Sequence, residues 1–197
     1  MKKSLKFLGI PGSLRRDSYN RAALVAAQSL LPPDVTLDIF DLEGIPMFNQ
    51  DHETTPVPRL IEFKKKIREA DAIVFCTPEY NYSVPGVLKN AIDCASRPFG
   101  DSAWSGKPVA VMGASVSVFG SARAQYHLRQ MLVALNMFQL NQPEIMIAQA
   151  GDAGKVFDAQ GKLINESSQK LIRLLLESLA TWTRQLSMAA SQRTTES

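Results

Sequence analysis

Residues 72–94 read A-I-V-F-C-T-P-E-Y-N-Y-S-V-P-G-V-L-K-N-A-I-D-C. Ala72–Cys76 is apolar throughout, the pattern of a strand buried on both faces of a parallel sheet. Pro78–Tyr82 then places a carboxylate, two tyrosines and an amide in a loop. Pro85-Gly86 opens a helix whose apolar residues Val87, Leu88, Ala91, Ile92 and Ala95 recur at helical spacing. A loop that only turned the chain would need neither two aromatics nor an amide beside an acid. That composition suits a flat, polar-edged ligand, with rings to pack on its face and amide and backbone groups to bond its edge.

The same alternation extends in both directions. Leu5–Ile10 reads as a strand ended by Pro11-Gly12, and Ser18 or Asn20 can cap a helix through Leu31, with Ala22, Ala23, Val25, Ala26 and Leu30 inward. Val35–Phe40 alternates as a strand, and Glu43–Val57 is a long loop. Pro58–Ala70 is an amphipathic helix with Leu60, Phe63 and Ile67 on one side and a solvated run of Lys64, Lys65, Lys66 and Arg68 on the other. Arg97–Gly106 is loop, containing Trp104; Pro108–Gly113 is a buried strand; Ser121–Leu135 is a helix; Glu144–Ala148 is a last strand segment. Glu166–Met188 is a long helix with Leu171, Ile172, Leu175, Leu176, Leu179, Trp182 and Leu186 apolar. The expected organisation is one domain over 1–188 and a polar, frayed tail over 189–197. The fold class is α/β: a three-layer, doubly wound, five-stranded parallel sheet of flavodoxin type, order 2-1-3-4-5.

Composition narrows the function. The chain has 197 residues, 45% hydrophobic and 21% charged, enough for one substantial core and against global disorder. The formal charge of +3 is too small and scattered for a nucleic-acid footprint. No apolar run is long enough to span a membrane, and Lys6, Gly9 and Pro11 break any signal-peptide core, so a cytoplasmic location is expected. Cys76 and Cys94 form no C-x-x-C pattern and sit in apolar segments, as reduced, buried thiols would. His52 and His127 have no carboxylate cluster beside them and build no metal site.

In an open α/β sheet, ligands sit beyond the carboxyl ends of the strands, at the switch point. The loops after the first, third and fourth strands, Gly12–Asn20, Pro78–Tyr82 and Ala114–Gly120, converge there and are rich in polar and small residues. The first reads G-S-L-R-R-D-S-Y-N. Short donors, a guanidinium from Arg15 or Arg16 and the amides of a helix start make a phosphate seat. An ordinary strand-to-helix turn with a serine cap fits this loop equally well. It is neither a Walker loop nor G-x-G-x-x-G. Together the loops offer a phosphate seat and a wall for a flat ring system, the shape of a flavin mononucleotide.

Three motifs carry a resemblance: G-S-L-R with S-x-N (Gly12–Asn20), P-E-Y-N-x-S-x-P-G-x-L-K-N-A-I-D (Pro78–Asp93), and G-A-S followed by G-x-A-R-A-Q-Y-H-L-R-Q (Gly113–Gln130). From Gly9 to about Glu144 the chain resembles the NADPH-dependent FMN reductases, a group that includes chromate, quinone and azo-dye reductases. The resemblance implies FMN as cofactor and NADPH or NADH as co-substrate, the two substrates taking turns on one exposed flavin face in ping-pong hydride transfer. It implies a homodimer or homotetramer with the flavin near a subunit contact. It implies that Ser13, Arg15, Ser18 and Asn20, with Tyr19 among them, hold the phosphate. Pro78, Glu79, Tyr80, Asn81 and Tyr82 would line the ring and ribityl, and Ser115, Ser117 and Gly120 would border the ring. Pro11, Cys94 and the bulky Val116–Phe119 stretch depart from the family pattern.

The flavin would carry the redox step, so no side chain is expected as a catalyst. Glu79 reads better as a group orienting nearby backbone than as a general base. Arg123, Tyr126 and Arg129 share one helix face by spacing. The alternative function is a flavodoxin-like one-electron carrier, a class that is strongly acidic where this chain has a pI near 8.9. A flavin-free interaction domain on the same fold is a further reading.

Overall fold

Each central strand serves two cores at once. In a computed structural model describing residues 4–152 and 154–195, the apolar runs resolve into strict alternation. Ala72, Val74 and Cys76 face one side of the sheet while Ile73 and Phe75 face the other; Ala110 and Met112 oppose Val109 and Val111 in the same way. This is why these segments show no polar alternation in sequence: both faces are covered.

The elements are β1 (Leu5–Pro11), α1 (Tyr19–Gln28), β2 (Val35–Ile39), α2 (Pro58–Glu69), β3 (Ala72–Cys76), α3 (Gly86–Ala95), β4 (Pro108–Ala114), α4 (Ala122–Ala134), β5 (Phe138–Gln139), β6 (Ile145–Ile147) and α5 (Glu166–Thr195). All pairings are parallel, in the order β2-β1-β3-β4-β5, the flavodoxin-type order expected. Helices α1 and α5 cover one face, where Leu24, Ala27, Ile172, Leu175 and Leu179 are buried. Helices α2, α3 and α4 cover the other, with Phe63, Ile67, Leu88, Ile92, Leu128 and Leu132. Each such Leu, Ile or Phe contributes roughly 1.5–3 kcal/mol of burial free energy. Both cysteines are free and buried.

Several details differ from the sequence expectation. The fifth sheet position is split: β5 pairs with the start of β4, and β6 pairs with its end at Met112–Ala114. In α1, Ala22, Ala23 and Ala26 face the core as expected, together with Leu24 and Ala27, whereas Val25 is exposed; the helix stops at Gln28 and Leu30 is buried just after it. Lys64 leaves the solvated lysine run: it is buried, donating to Arg97 O at 2.5 Å and to Asp101 at 2.6 Å. Trp104 lies in a loop as read, and its side chain belongs to the core: the indole donates to Ile92 O and packs on Phe63 and Phe75. Leu171 is exposed on α5, which continues past Met188 to Thr195, so the segment expected to fray is helical as far as it is described; residues 196 and 197 lie outside the described residues. Among the described residues no helix is long and apolar enough to cross a membrane, and no group of three metal-ligating side chains forms.

Asn20 fixes the helix-to-sheet geometry at the carboxyl ends of the strands. Its amide donates to Ala114 O at 2.9 Å, and its carbonyl accepts from Ala114 N at 2.8 Å and from the Cys76 thiol at 3.4 Å. Replacing Asn20 with Ala leaves two buried backbone groups unpaired, and chemical denaturation should show a loss of about 2–4 kcal/mol.

Candidate functional site

The loop after β1 starts in close contact with the loop after β3. Gly12 N donates to Cys76 O at 2.8 Å, and a Cβ on Gly12 would lie 3.0 Å from Thr77 Oγ1 and 3.2 Å from Leu88. Ser13 Oγ accepts from Arg15 N at 3.2 Å and lies 3.5 Å from Tyr80 Oη, the outer edge of hydrogen-bond range. Ser18 caps α1, its hydroxyl accepting from Arg21 N at 3.3 Å. The Arg15 guanidinium donates to Asp17 O within its own loop and sits 5.1 Å over the Tyr19 ring, which in turn packs on Phe157. Among the described residues, the backbone amides of Leu14, Arg16, Asp17, Tyr19 and Asn20 have no hydrogen-bond partner. A loop of open donors running into a helix start has the chemistry of an anion seat.

The loop after β3 closes on itself. Tyr80 and Ser83 exchange both backbone hydrogen bonds at 3.0 Å, with Asn81 at φ 50° and Tyr82 at φ 67°. Two positive φ values at the central residues make this a type I′ turn. Asn tolerates that conformation; for Tyr it is strained. The turn holds Tyr80 and Tyr82 out in solvent, 50% and 68% exposed, with Pro78 buried behind them.

Glu79 faces the other way. Helix α4 starts at a left-handed Ser121 that provides no side-chain cap. Glu79 supplies the cap from outside, accepting from Arg123 N at 3.0 Å and Ala124 N at 3.3 Å. Its second oxygen takes the Arg123 Nε at 2.5 Å and a further contact from the same guanidinium. Burial alone would raise the Glu79 pKa, but the hydrogen bonds and charge of Arg123 and the Ala124 amide hold it below the usual carboxylate range. The Arg123 guanidinium lies between two rings, 3.7 Å from the Tyr82 centroid and 4.4 Å from that of Phe119. One cation therefore joins the loops after β3 and β4.

In the loop after β4, Ser115 Oγ accepts from Ser117 N at 3.2 Å and Ser117 Oγ from Phe119 N at 3.0 Å. Gly120 is buried at φ 53°, where a Cβ would lie 2.6 Å from the Met146 backbone. Val116, Val118 and Phe119 are exposed at the rim.

Most of the residues singled out in sequence therefore meet at one end of the sheet. Ser13 touches Tyr80, Glu79 and Tyr82 share Arg123, and Ser115 and Ser117 form the neighbouring loop. Asn20 is placed differently: it lies behind the loop after β1, only 3% exposed, with its amide engaged by Ala114. Arg123 and Phe119 were read in sequence as a helix face and a bulky loop. The pairing of Arg123 with Glu79 spans 44 residues and leaves no local signal. His127 is exposed, and its Nδ1 lies 3.0 Å from Ser83 Oγ.

A doubly wound parallel sheet with an anion seat and exposed aromatics at its switch point defines a nucleotide-cofactor protein of flavodoxin-like fold. The profile of the family described as NADPH-dependent FMN reductase matches residues 5–152. An NAD(P)H-dependent FMN reductase of Pseudomonas aeruginosa is 51% identical over 187 residues, covering 94% of this chain and 99% of the relative. A 2-hydroxy-1,4-benzoquinone reductase of a Burkholderia species is 42% identical over 181 residues, covering 92% and 97%. Among solved structures, the flavoenzyme NAD(P)H:(acceptor) oxidoreductase FerB of Paracoccus denitrificans superposes with a TM-score of 0.83 at 31% identity, covering 92% of this chain and 98% of that one. The chain belongs to the NADPH-dependent FMN reductase family, and it is an oxidoreductase.

The Glu79 cap has a pH signature. Its folded pKa is lowered, so its stabilisation is fully present above the ordinary value near 4.5 and is lost as pH falls through the folded value. Denaturation curves of wild type and Glu79→Gln should differ most at neutral pH and converge in acid; a constant gap at all pH values would remove the ionised cap from the account.

Proposed function

We propose that the three loops seat FMN and that the protein passes reducing equivalents from NAD(P)H to quinone acceptors. The observation that carries this reading is the set of unpartnered amides of Leu14, Arg16, Asp17, Tyr19 and Asn20, at the same end of the sheet as exposed Tyr80 and Tyr82. The phosphate belongs with those amides, the Ser13 and Ser18 hydroxyls and Arg15, with Tyr19 flanking. Asn20 acts from behind by holding the start of α1 in place. The ring system belongs against Pro78–Tyr82, bordered by Ser115, Ser117 and Gly120. When bound, FMN supplies the redox chemistry; the chain binds and orients it and leaves one face open. Glu79 is not a proton donor in this scheme, because Arg123 and two amides keep it ionised and occupied.

The relatives named for quinone reduction support quinones as the acceptor class. Azo compounds, chromate and free flavin are further acceptors that an exposed face admits. The family resemblance further implies that NAD(P)H and acceptor alternate on that face. The family resemblance extends the proposal to a homodimer or homotetramer, for which exposed Tyr82 and Phe119 offer apolar surface near the site.

Anaerobic NADPH should bleach the bound flavin absorbance rapidly, and a benzoquinone should restore it. No reaction with NADPH would leave the one-electron carrier in its place. In the same preparation, Arg15→Ala should weaken FMN by about 10–100-fold, about 1.5–3 kcal/mol. Unchanged affinity would reject Arg15 as a phosphate ligand and assign the seat to the backbone amides alone.

A further inference from the structure

A cavity of about 390 Å³ lies away from the three loops, between the long β2–α2 connection, the outer side of α2 and the α3–β4 connection. Its size falls within the range of small-molecule sites, roughly 300–1,000 Å³. Helix α3 separates the two places: its first turn follows the Tyr80–Ser83 turn, whereas Cys94 near its end lines the cavity, roughly 12 Å further along the helix. The walls are mainly apolar, with Met47, Phe48, Val57, Leu60 and Ile61 among them. Met47, Val57 and Ile61 are 80%, 40% and 54% exposed, so this apolar surface faces solvent.

The charged groups of the lining are tied to one another. Arg97 pairs with Glu53 at 2.6 Å, and Asp101 is shared by Lys64 and Arg68, each at 2.6 Å. Three cations thus face two carboxylates, and one positive charge is left without a counter-charge inside the lining. These ties also bind the walls together, since Glu53, α2 and the α3–β4 connection are cross-linked by them.

We infer that this cavity is a second ligand site, separate from the flavin, for a small apolar aromatic molecule carrying one negative charge. The rings would lie against the apolar walls, and the anionic group would meet the excess cation of the Lys64–Asp101–Arg68 cluster. Neutral apolar molecules fit the walls but leave that charge uncompensated, and dianions exceed it.

The test uses FMN-loaded protein and isothermal titration with 1-anilinonaphthalene-8-sulfonate, an apolar aromatic with one sulfonate. Saturable binding at one site is expected, weakening as salt is raised. The neutral N-phenyl-1-naphthylamine should bind about tenfold more weakly or less tightly still. Ile61 is exposed and outside the flavin site, so its variants should fold and keep NADPH turnover. Ile61→Glu should weaken the sulfonate probe about tenfold or more, Ile61→Lys should not weaken it, and Ile61→Trp should block it by filling the cavity. Absence of saturable binding, indifference to all three variants, or competition between the probe and NADPH or quinone would each overturn the inference. The last outcome would place the probe at the flavin.

Discussion

One side-chain amide holds the carboxyl end of the sheet together. Asn20 lies at the start of α1, yet its partners are both backbone groups of Ala114 at the end of β4 and the thiol of Cys76 at the end of β3. In the sheet, β3 lies between β1 and β4, so the amide reaches across a strand. A buried amide that satisfies a donor and an acceptor on one residue fixes distance and direction together, and a buried polar group left unpaired costs more than the bond contributes. The position of the first loop relative to the fourth therefore follows from Asn20. The helix start behind the open amides of Leu14, Arg16 and Asp17 is held in place by the same bridge.

The second tie is electrostatic and works from the opposite side. Glu79 caps α4, and Arg123 returns to Glu79 while lying between Tyr82 and Phe119. The third loop is thus bound to the helix that follows the fourth. Close packing beneath fixes the same junction: a Cβ on Gly113 would lie 2.0 Å from Ser121 Oγ and 2.3 Å from Thr77 O. Backbone approach of that kind is available only to glycine.

These ties explain what could be read from sequence. Continuous apolar runs at Ala72–Cys76 and Pro108–Gly113, separated by helical periods, determine a covered parallel sheet, and the polar loops at its carboxyl ends determine where a ligand goes. That Ser13, Tyr80, Ser115 and Ser117 come to one end of the sheet was legible, because the topology brings the loops after the first, third and fourth strands together there. Asn20 was legible as a site residue but not as a buried bridge, since a cap and a bridge have the same local sequence. Lys64 was misplaced for a related reason: a lysine run looks solvated until Asp101 and the Arg97 carbonyl come from more than thirty residues away. Trp104 lies in a loop as read, and its burial shows only once Ile92 O accepts its indole. Two-residue β5 is shorter than any period that could reveal it.

The same reasoning separates the rigid from the exposed parts of the site. Every polar contact that builds it lies behind or beside the loops: Asn20 under the first, Glu79 under the third, Gly120 and the Ser115–Phe119 turns in the fourth. What remains in front is apolar or unpartnered: Tyr80, Tyr82, Phe119 and the amides before α1. Tyr82 holds a positive φ that its side chain disfavours, and the Arg123 stack offsets that cost by fixing its ring. A surface of exposed rings on a strained turn adds nothing to a core. Glu79 neutralises the charge of Arg123 beneath it, so that the rings, and not an ion pair, face solvent, as the proposed packing of a flat ring system requires.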